Sequence, residues 1–397
     1  MKSLALLTLG VIALTSCTER LTTPGGCPSL CPGGAPEFRD TVLTAIAGGD
    51  TSFTGYSSPT DAASLLLSNG GELGESRGLI RFIPRGDSVF AGDSLKPFTI
   101  DSVVLSVFLQ ARDTTVLAQK IDVYRLPPTF DSLTTFAELE AAMVPDALLR
   151  TIDVADAARS GRLEMKFAGA DLAKLTYVPS DSTRLVLGLR LRAPVPAGMY
   201  IGAAAGGDAT PLYRTFTNVA IADTTLRKQV LQRGVAQNIT VREHQHPVEL
   251  DLLRVGGFPA ARALIRFDVP RYLRDSATII RATLELAPNV PIVGIAGDSA
   301  RIDARSLLAD FGAKSVVNPT RVASTWMHPG ADTVRLDVAN LVALWQGVGN
   351  FTPTALRLQL GQEFASFLTA HFQSTRSLNG GPRLRITYRT PYGVRAF

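Results

Sequence analysis

Apolar and polar positions alternate strictly in two short stretches that nearly repeat each other. Residues 262–267 read Arg-Ala-Leu-Ile-Arg-Phe, and residues 77–82 read Arg-Gly-Leu-Ile-Arg-Phe. Alternation puts Ala263, Ile265 and Phe267 on one face, with Leu264 and Arg266 on the other. In the earlier stretch Gly78, Ile80 and Phe82 oppose Leu79 and Arg81. Successive side chains leave a pleated strand on opposite sides, so a period of two predicts a strand with one face on a core.

The flanking sequence corresponds as well. Leu65-Leu66-Leu67-Ser68-Asn69-Gly70-Gly71 precedes the first stretch, and Leu252-Leu253-Arg254-Val255-Gly256-Gly257 precedes the second. Each reads as a strand running into a double glycine, which suits a turn with positive φ. A further alternating strand follows in each copy, Ile100 to Val107 and Ile280 to Leu286. Later, Val338, Leu341, Val342 and Trp345 recur at i, i+3, i+4 and i+7, one face of a short helix, with Asp337 placed to cap it. Asp171-Leu172-Ala173-Lys174-Leu175 is its counterpart, followed by matching strands at 187–191 and 356–360. Copy one is longer in its middle, where Leu133 to Met143 adds a helix, and copy two closes with an alternating strand, Leu384, Ile386 and Tyr388. The polar stretch Leu226 to Gln237 reads as the boundary between the copies.

Short alternating strands separated by Gly/Pro turns predict an all-β chain: two tandem jelly-roll-like antiparallel β-sandwiches, each with a short helix. The division expected is a signal segment at 1–16, a tether at 17–40, a first sandwich at 41–228 and a second at 236–397. Composition agrees. The 397 residues are 46% hydrophobic and 19% charged, enough apolar material for cores and too little charge for disorder. The formal net charge is +5, and only seven of the forty basic residues are lysines. The arginines are spread along strands with no basic arm, which argues against a nucleic-acid partner.

The N-terminus carries a different signal. Lys2 is followed by an apolar run from Leu4 to Leu14, the length of a secretory signal and too short to span a bilayer. It ends Leu14-Thr15-Ser16-Cys17, which resembles the bacterial lipobox. That resemblance implies that Cys17 is lipidated and becomes the first mature residue. Thr18 stands where the enteric pattern would place an inner-membrane-retaining aspartate, so a lipid-anchored outer-membrane protein is expected. Cys27 and Cys31 then remain as an even pair in an oxidising compartment, inside a Pro/Gly-rich tether, and a local disulfide between them is expected. As a flexible coil the tether reaches roughly 25 Å from the membrane.

Copy two resembles a known family. Arg262 to Asp268, Ala277 to Leu286, Leu336-Asp337-Val338 with the helix to Trp345, and the closing Gly381 to Tyr388 are similar to the disaggregatase-related (DNRLRE) repeat over about residues 236–390. Copy one matches more faintly, with Thr176 where copy two has Trp345. The resemblance implies a jelly-roll-like sandwich on a secreted surface protein, and polysaccharide as a ligand of some relatives. The matched positions are mostly core and turn residues, which carry fold better than function.

Candidate chemistry is sparse. Gly92-Asp93-Ser94-Leu95 spells a hydrolase signature, but no histidine in the chain has Asp three residues before it, as that hydrolase family requires. Gly297-Asp298-Ser299 repeats the letters in copy two, and both read as turn chemistry. His244 and His246, two apart with Glu243 and Glu249 nearby, are a candidate divalent-metal pair. No cofactor is specified, although scattered Gly-Asp and Asp-Ser loops make calcium the ion to test. Sugar-binding surfaces present exposed aromatics. Of the two tryptophans, Trp345 falls on the apolar helix face, which leaves Trp326 as the candidate ligand contact. The expected function is a non-catalytic, lipid-anchored envelope protein acting as a binding or structural module, with glycan the leading ligand class and polysaccharide or an envelope protein as partner. The alternative is an envelope hydrolase with an unrecognised carboxylate or metal site.

Overall fold

Both copies of the alternating stretch form strands, Glu75–Phe82 and Ala261–Arg266. The structure is a computed structural model describing residues 38–54, 62–84, 86, 88–91, 93–175, 184–222, 225–243, 251–377 and 380–390. It is 52% strand and 13% helical, arranged in antiparallel sheets, so the chain is all-β with a few short helices.

Copy two is a sandwich of two sheets. A four-stranded sheet runs in the order Phe38–Thr44, Arg383–Arg389, Thr278–Leu286, Val334–Asp337. It faces an eight-stranded sheet in which Ala300–Ala309, Ala355–Leu360, Ala261–Arg266, Leu252–Gly256 and Thr369–Gln373 lie side by side in that order, the last at the edge. The core between them takes Leu284, Leu336, Leu384 and Ile386 from one sheet and Ile265, Ile302, Leu358 and Phe372 from the other. Val338, Leu341, Val342 and Trp345 close it as the expected apolar helix face, and Ala339 N donates to the Asp337 carboxylate at 3.1 Å.

Copy one is built from one continuous twelve-stranded sheet that curls around its own core. Its longest strand, Ser94–Arg112, pairs with Leu212–Ala222, Gly198–Gly202, Gly161–Ala168 and Ser88–Ala91 at different points along its length. The curl is visible in one ring pair. Phe82 and Tyr213 lie on strands four places apart in the sheet order, yet their rings are 5.6 Å apart across the core. The extra length of copy one is a helix, Phe136–Ala142, set by a capping box between Thr135 and Glu138. It does not extend the sheet; Leu139 and Met143 cover its outer face at Leu79, Tyr124 and Val186.

Strand pairing departs from the expected division in two places. Thr225–Arg233 and Val235–Arg242 are strands, paired with Leu212–Ala222 and Glu75–Phe82, so the stretch read as a polar boundary lies in the sheet of copy one. In exchange, Phe38–Thr44 pairs with Arg383–Arg389 and Thr51–Thr54 with Ala261–Arg266, so the first two strands complete the sheets of copy two. Alternation finds strands but not their partners, because pairing is decided by non-local contacts.

The two double glycines also differ. Gly70 and Gly71 have φ of 114° and 68°, as a positive-φ turn requires. Gly256 and Gly257 do not; they are small because other groups sit against them. A Cβ on Gly256 would lie 2.8 Å from Thr369 Oγ1, and one on Gly257 would lie 2.4 Å from the Ser366 carbonyl oxygen.

Copies one and two touch through a small apolar cluster. Leu66 and Tyr200 meet Ile295 and Phe367, with the Tyr200 and Phe367 rings 5.1 Å apart. The Tyr200 hydroxyl accepts from Phe367 N at 2.9 Å and donates to the Asp298 carboxylate.

Candidate functional site

Opposed residues of an antiparallel pair share a face, which fixes what the outer surface of the eight-stranded sheet presents. Ala323–Met327 pairs with Ala300–Ala309 in the register Trp326 to Arg301 and Ser324 to Asp303. Ala323 and Met327 point into the core with Ala300, Ile302 and Ala304. Trp326, Ser324, Arg301 and Asp303 therefore stand on the outer face, and Trp326 is 64% exposed. Such exposure is far from the usual state of tryptophan, whose apolar surface favours burial.

The polar groups beside it are held rather than loose. Asp303 is only 2% exposed; its Oδ1 accepts from Ser324 Oγ at 2.7 Å and from Arg301 Nε at 2.9 Å. Arg301 is thereby aimed along the strand next to the indole, half-exposed at its guanidinium. Inward from this edge the same face carries Gln359, opposite Asp303, and Arg357, opposite Arg305. Arg357 Nη2 donates to Gln359 Oε1 at 2.9 Å. Further on, Arg262 forks onto Glu363 at 2.8 and 2.6 Å, and Arg266 onto Asp310 at 2.5 and 2.7 Å. The Arg266 guanidinium holds the Asp310 carboxyl below the usual carboxylate range. An aromatic edge beside fixed donors and acceptors on a shallow face can stack on an apolar ring and hydrogen-bond its substituents.

The corresponding face of copy one is closed. Arg77, the counterpart of Arg262, is fully buried beneath the helix Phe136–Ala142, paired with Glu75 at 2.8 Å and Glu140 at 3.3 Å, its guanidinium 4.4 Å above the Phe136 ring.

Other residues singled out in the sequence fall elsewhere. Trp345 is buried against Phe267, ring centres 6.4 Å apart. Ala91 pairs with Ser94, so Asp93 of the first Gly-Asp-Ser lies in a turn between paired strands. The second contains Asp298, which accepts from the Tyr200 hydroxyl at the contact between the copies. Burial pushes its carboxyl above the usual range, against the opposing hydrogen bonds from Tyr200 and Ser299 N and the charge of His328. Cys17, Cys27, Cys31, His244 and His246 lie outside the described residues. Among the described residues no group of three or more His, Cys, Asp and Glu side chains is placed to hold a metal ion. No helix among them is long and apolar enough to cross a membrane. The Arg301, Asp303, Arg305 row was legible in the sequence as charges alternating along a strand, but nothing there showed that it would lie beside Trp326.

Neither the family models nor the curated proteins compared with this chain match it.

Proposed function

We propose that this chain is a non-catalytic, lipid-anchored protein of the outer membrane whose second copy binds glycan on the outer face of its eight-stranded sheet. The observation that carries this reading is Trp326, 64% exposed at the strand edge beside Arg301 and above the Ser324–Asp303 pair. The likeness of residues 236–390 to the disaggregatase-related repeat supports the ligand class, and the lipobox-like ending at Cys17 supports the anchor.

A pyranose ring that covers roughly 60 Å² of the indole contributes about 1.5 kcal/mol at about 25 cal/mol per Å². That is about tenfold in Kd. The test is a glycan and polysaccharide array on the soluble chain beginning at Gly34, with and without calcium, followed by titration of Trp326→Ala. Binding that weakens about tenfold in the variant, with the thermal midpoint unchanged, supports the reading. Substitution of a mostly exposed side chain leaves stability within about 0.5 kcal/mol. Failure to bind any glycan, or binding indifferent to Trp326→Ala, would sink it in favour of a structural or partner-binding role.

A further inference from the structure

A second recess lies where the two copies meet, at the opposite edge of the same sheet from Trp326. It has a volume of about 460 Å³, the size of a small-ligand pocket. One wall is apolar, with Phe258, Phe367 and Val293. The other brings Arg242 from the last strand of copy one, and Arg254 and His371 from adjacent strands of copy two, with Glu72 at the rim. Sequence neighbours do not explain this meeting; Arg242 pairs in one sheet and Arg254 in another.

Arg242 is held in position rather than resting on the surface. Its Nη1 donates to the Phe258 carbonyl at 2.9 Å. Gly74, at φ 68°, leaves the space that the guanidinium fills; a Cβ there would lie 2.9 Å from Nη2. The Nε is buried without a hydrogen-bond partner. A guanidinium largely removed from water with an unsatisfied Nε is costly, and an anion in the recess would offset that cost. Its proton is correspondingly loosened: burial first, and then the charge of Arg254, pull the Arg242 pKa down to about 10.

We propose that this recess binds the carboxylate of an acidic sugar, with the guanidinium of Arg242 on the carboxylate and the ring against Phe258 and Phe367. Arginine recognises planar oxyanions through its fork of N–H groups, and aromatic walls favour a ring over a bare ion. The assignment to a sugar rests on the glycan reading above, whereas the anion site rests on the recess itself.

The two are separated by titrating the full chain calorimetrically with trigalacturonate, a neutral galactose trimer and inorganic phosphate. Trigalacturonate should bind, lose at least tenfold in affinity in Arg242→Met, and bind Trp326→Ala with affinity reduced less than threefold. The thermal midpoint of Arg242→Met should not fall without ligand, since removing a largely buried charge offsets the lost hydrogen bond. Arg242→Lys, which keeps the charge and loses the fork, should fall between. No trigalacturonate binding, or binding unchanged in Arg242→Met, overturns the proposal. Phosphate bound as tightly as the uronate overturns the sugar assignment and leaves a plain oxyanion site. Neutral glycan bound through Trp326 while the uronate is ignored leaves the sheet-face reading standing and removes this one.

Discussion

If the first strands complete the sandwich of copy two, a substitution at residue 50 should unfold a body whose other residues begin 200 positions later. Asp50 is 1% exposed, and its two carboxylate oxygens accept from Thr375 N at 2.7 Å and Thr375 Oγ1 at 2.5 Å. Asp50→Ala removes both bonds and leaves a largely buried N–H without its acceptor. Hydrogen bonds to charged groups contribute about 1.5–3 kcal/mol each, and the two bonds share one side chain, so a loss of about 3 kcal/mol is expected. The assay is selective because both tryptophans, Trp326 and Trp345, lie in copy two. Urea unfolding followed by tryptophan fluorescence therefore reports that copy, while far-ultraviolet circular dichroism reports the whole chain. With a slope of about 2–3 kcal/mol per molar, the fluorescence midpoint should fall by about 1–1.5 M. Deleting the chain before Ala62 should lower it further, because Leu43 and Ala45 leave the core as well. A fluorescence midpoint that stays put in Asp50→Ala would refute the exchange of strands.

Three other changes test separate contacts. Asp298→Asn addresses the buried carboxyl between the copies. Because its folded pKa is raised, the native state holds the proton more tightly, so its stabilising share is full below about pH 3.8 and is lost as pH rises through the raised value. The thermal midpoint of the variant relative to the parent should therefore climb as pH rises above about 3.8, and a constant difference would count against the buried carboxyl. Gly257→Ala puts a methyl 2.4 Å from the Ser366 carbonyl and should cost about 2–3 kcal/mol by chemical denaturation; a neutral result would mean that the hairpin gives way freely. Arg77→Ala removes a fully buried guanidinium between Glu75, Glu140 and Phe136, and should cost about 3 kcal/mol in the unfolding of copy one, seen as a circular dichroism change without a fluorescence change.

Strand positions and the inward faces were legible from alternation alone: Ile80 and Phe82 in one core and Ala263, Ile265 and Phe267 in the other are as the period of two demands. So was the inserted helix, expected between Leu133 and Met143 from the greater length of copy one, although its capping box of Thr135 and Glu138 was not read there. Partnership was not, because Phe38–Thr44 and Arg383–Arg389 are separated by most of the chain and nothing local in either names the other. The glycine pairs show the same limit. Gly70-Gly71 and Gly256-Gly257 look alike in sequence, yet one pair answers to its own backbone angle and the other to Thr369 and Ser366, which arrive from far away. Trp326 could be separated from Trp345 by periodicity, but Arg301, Asp303 and Ser324 became its neighbours only through strand register.

The repeat therefore conserves its inward pattern more closely than its outward one, and the outward differences are where a function can reside. Leu79 and Leu264 occupy the same place in the repeated stretch, and both are buried on the outer side of their strands. Leu79 is covered by Leu139 and Met143 of the inserted helix, whereas Leu264 packs with Leu307, Ala355 and Phe53 in a smaller cluster. The helix takes Arg77 into the interior with it; Arg262, its counterpart, keeps its fork on Glu363 at the surface. Copy one has thus spent the part of its outer face around Leu79 and Arg77 on packing, and copy two keeps there a face of ordered arginines and acids that ends at an exposed indole. Copy one also holds fixed polar groups outside, such as Asp122 between Thr151 and Arg192, but among the described residues the exposed indole beside such groups is on copy two, which is why the binding role is proposed there.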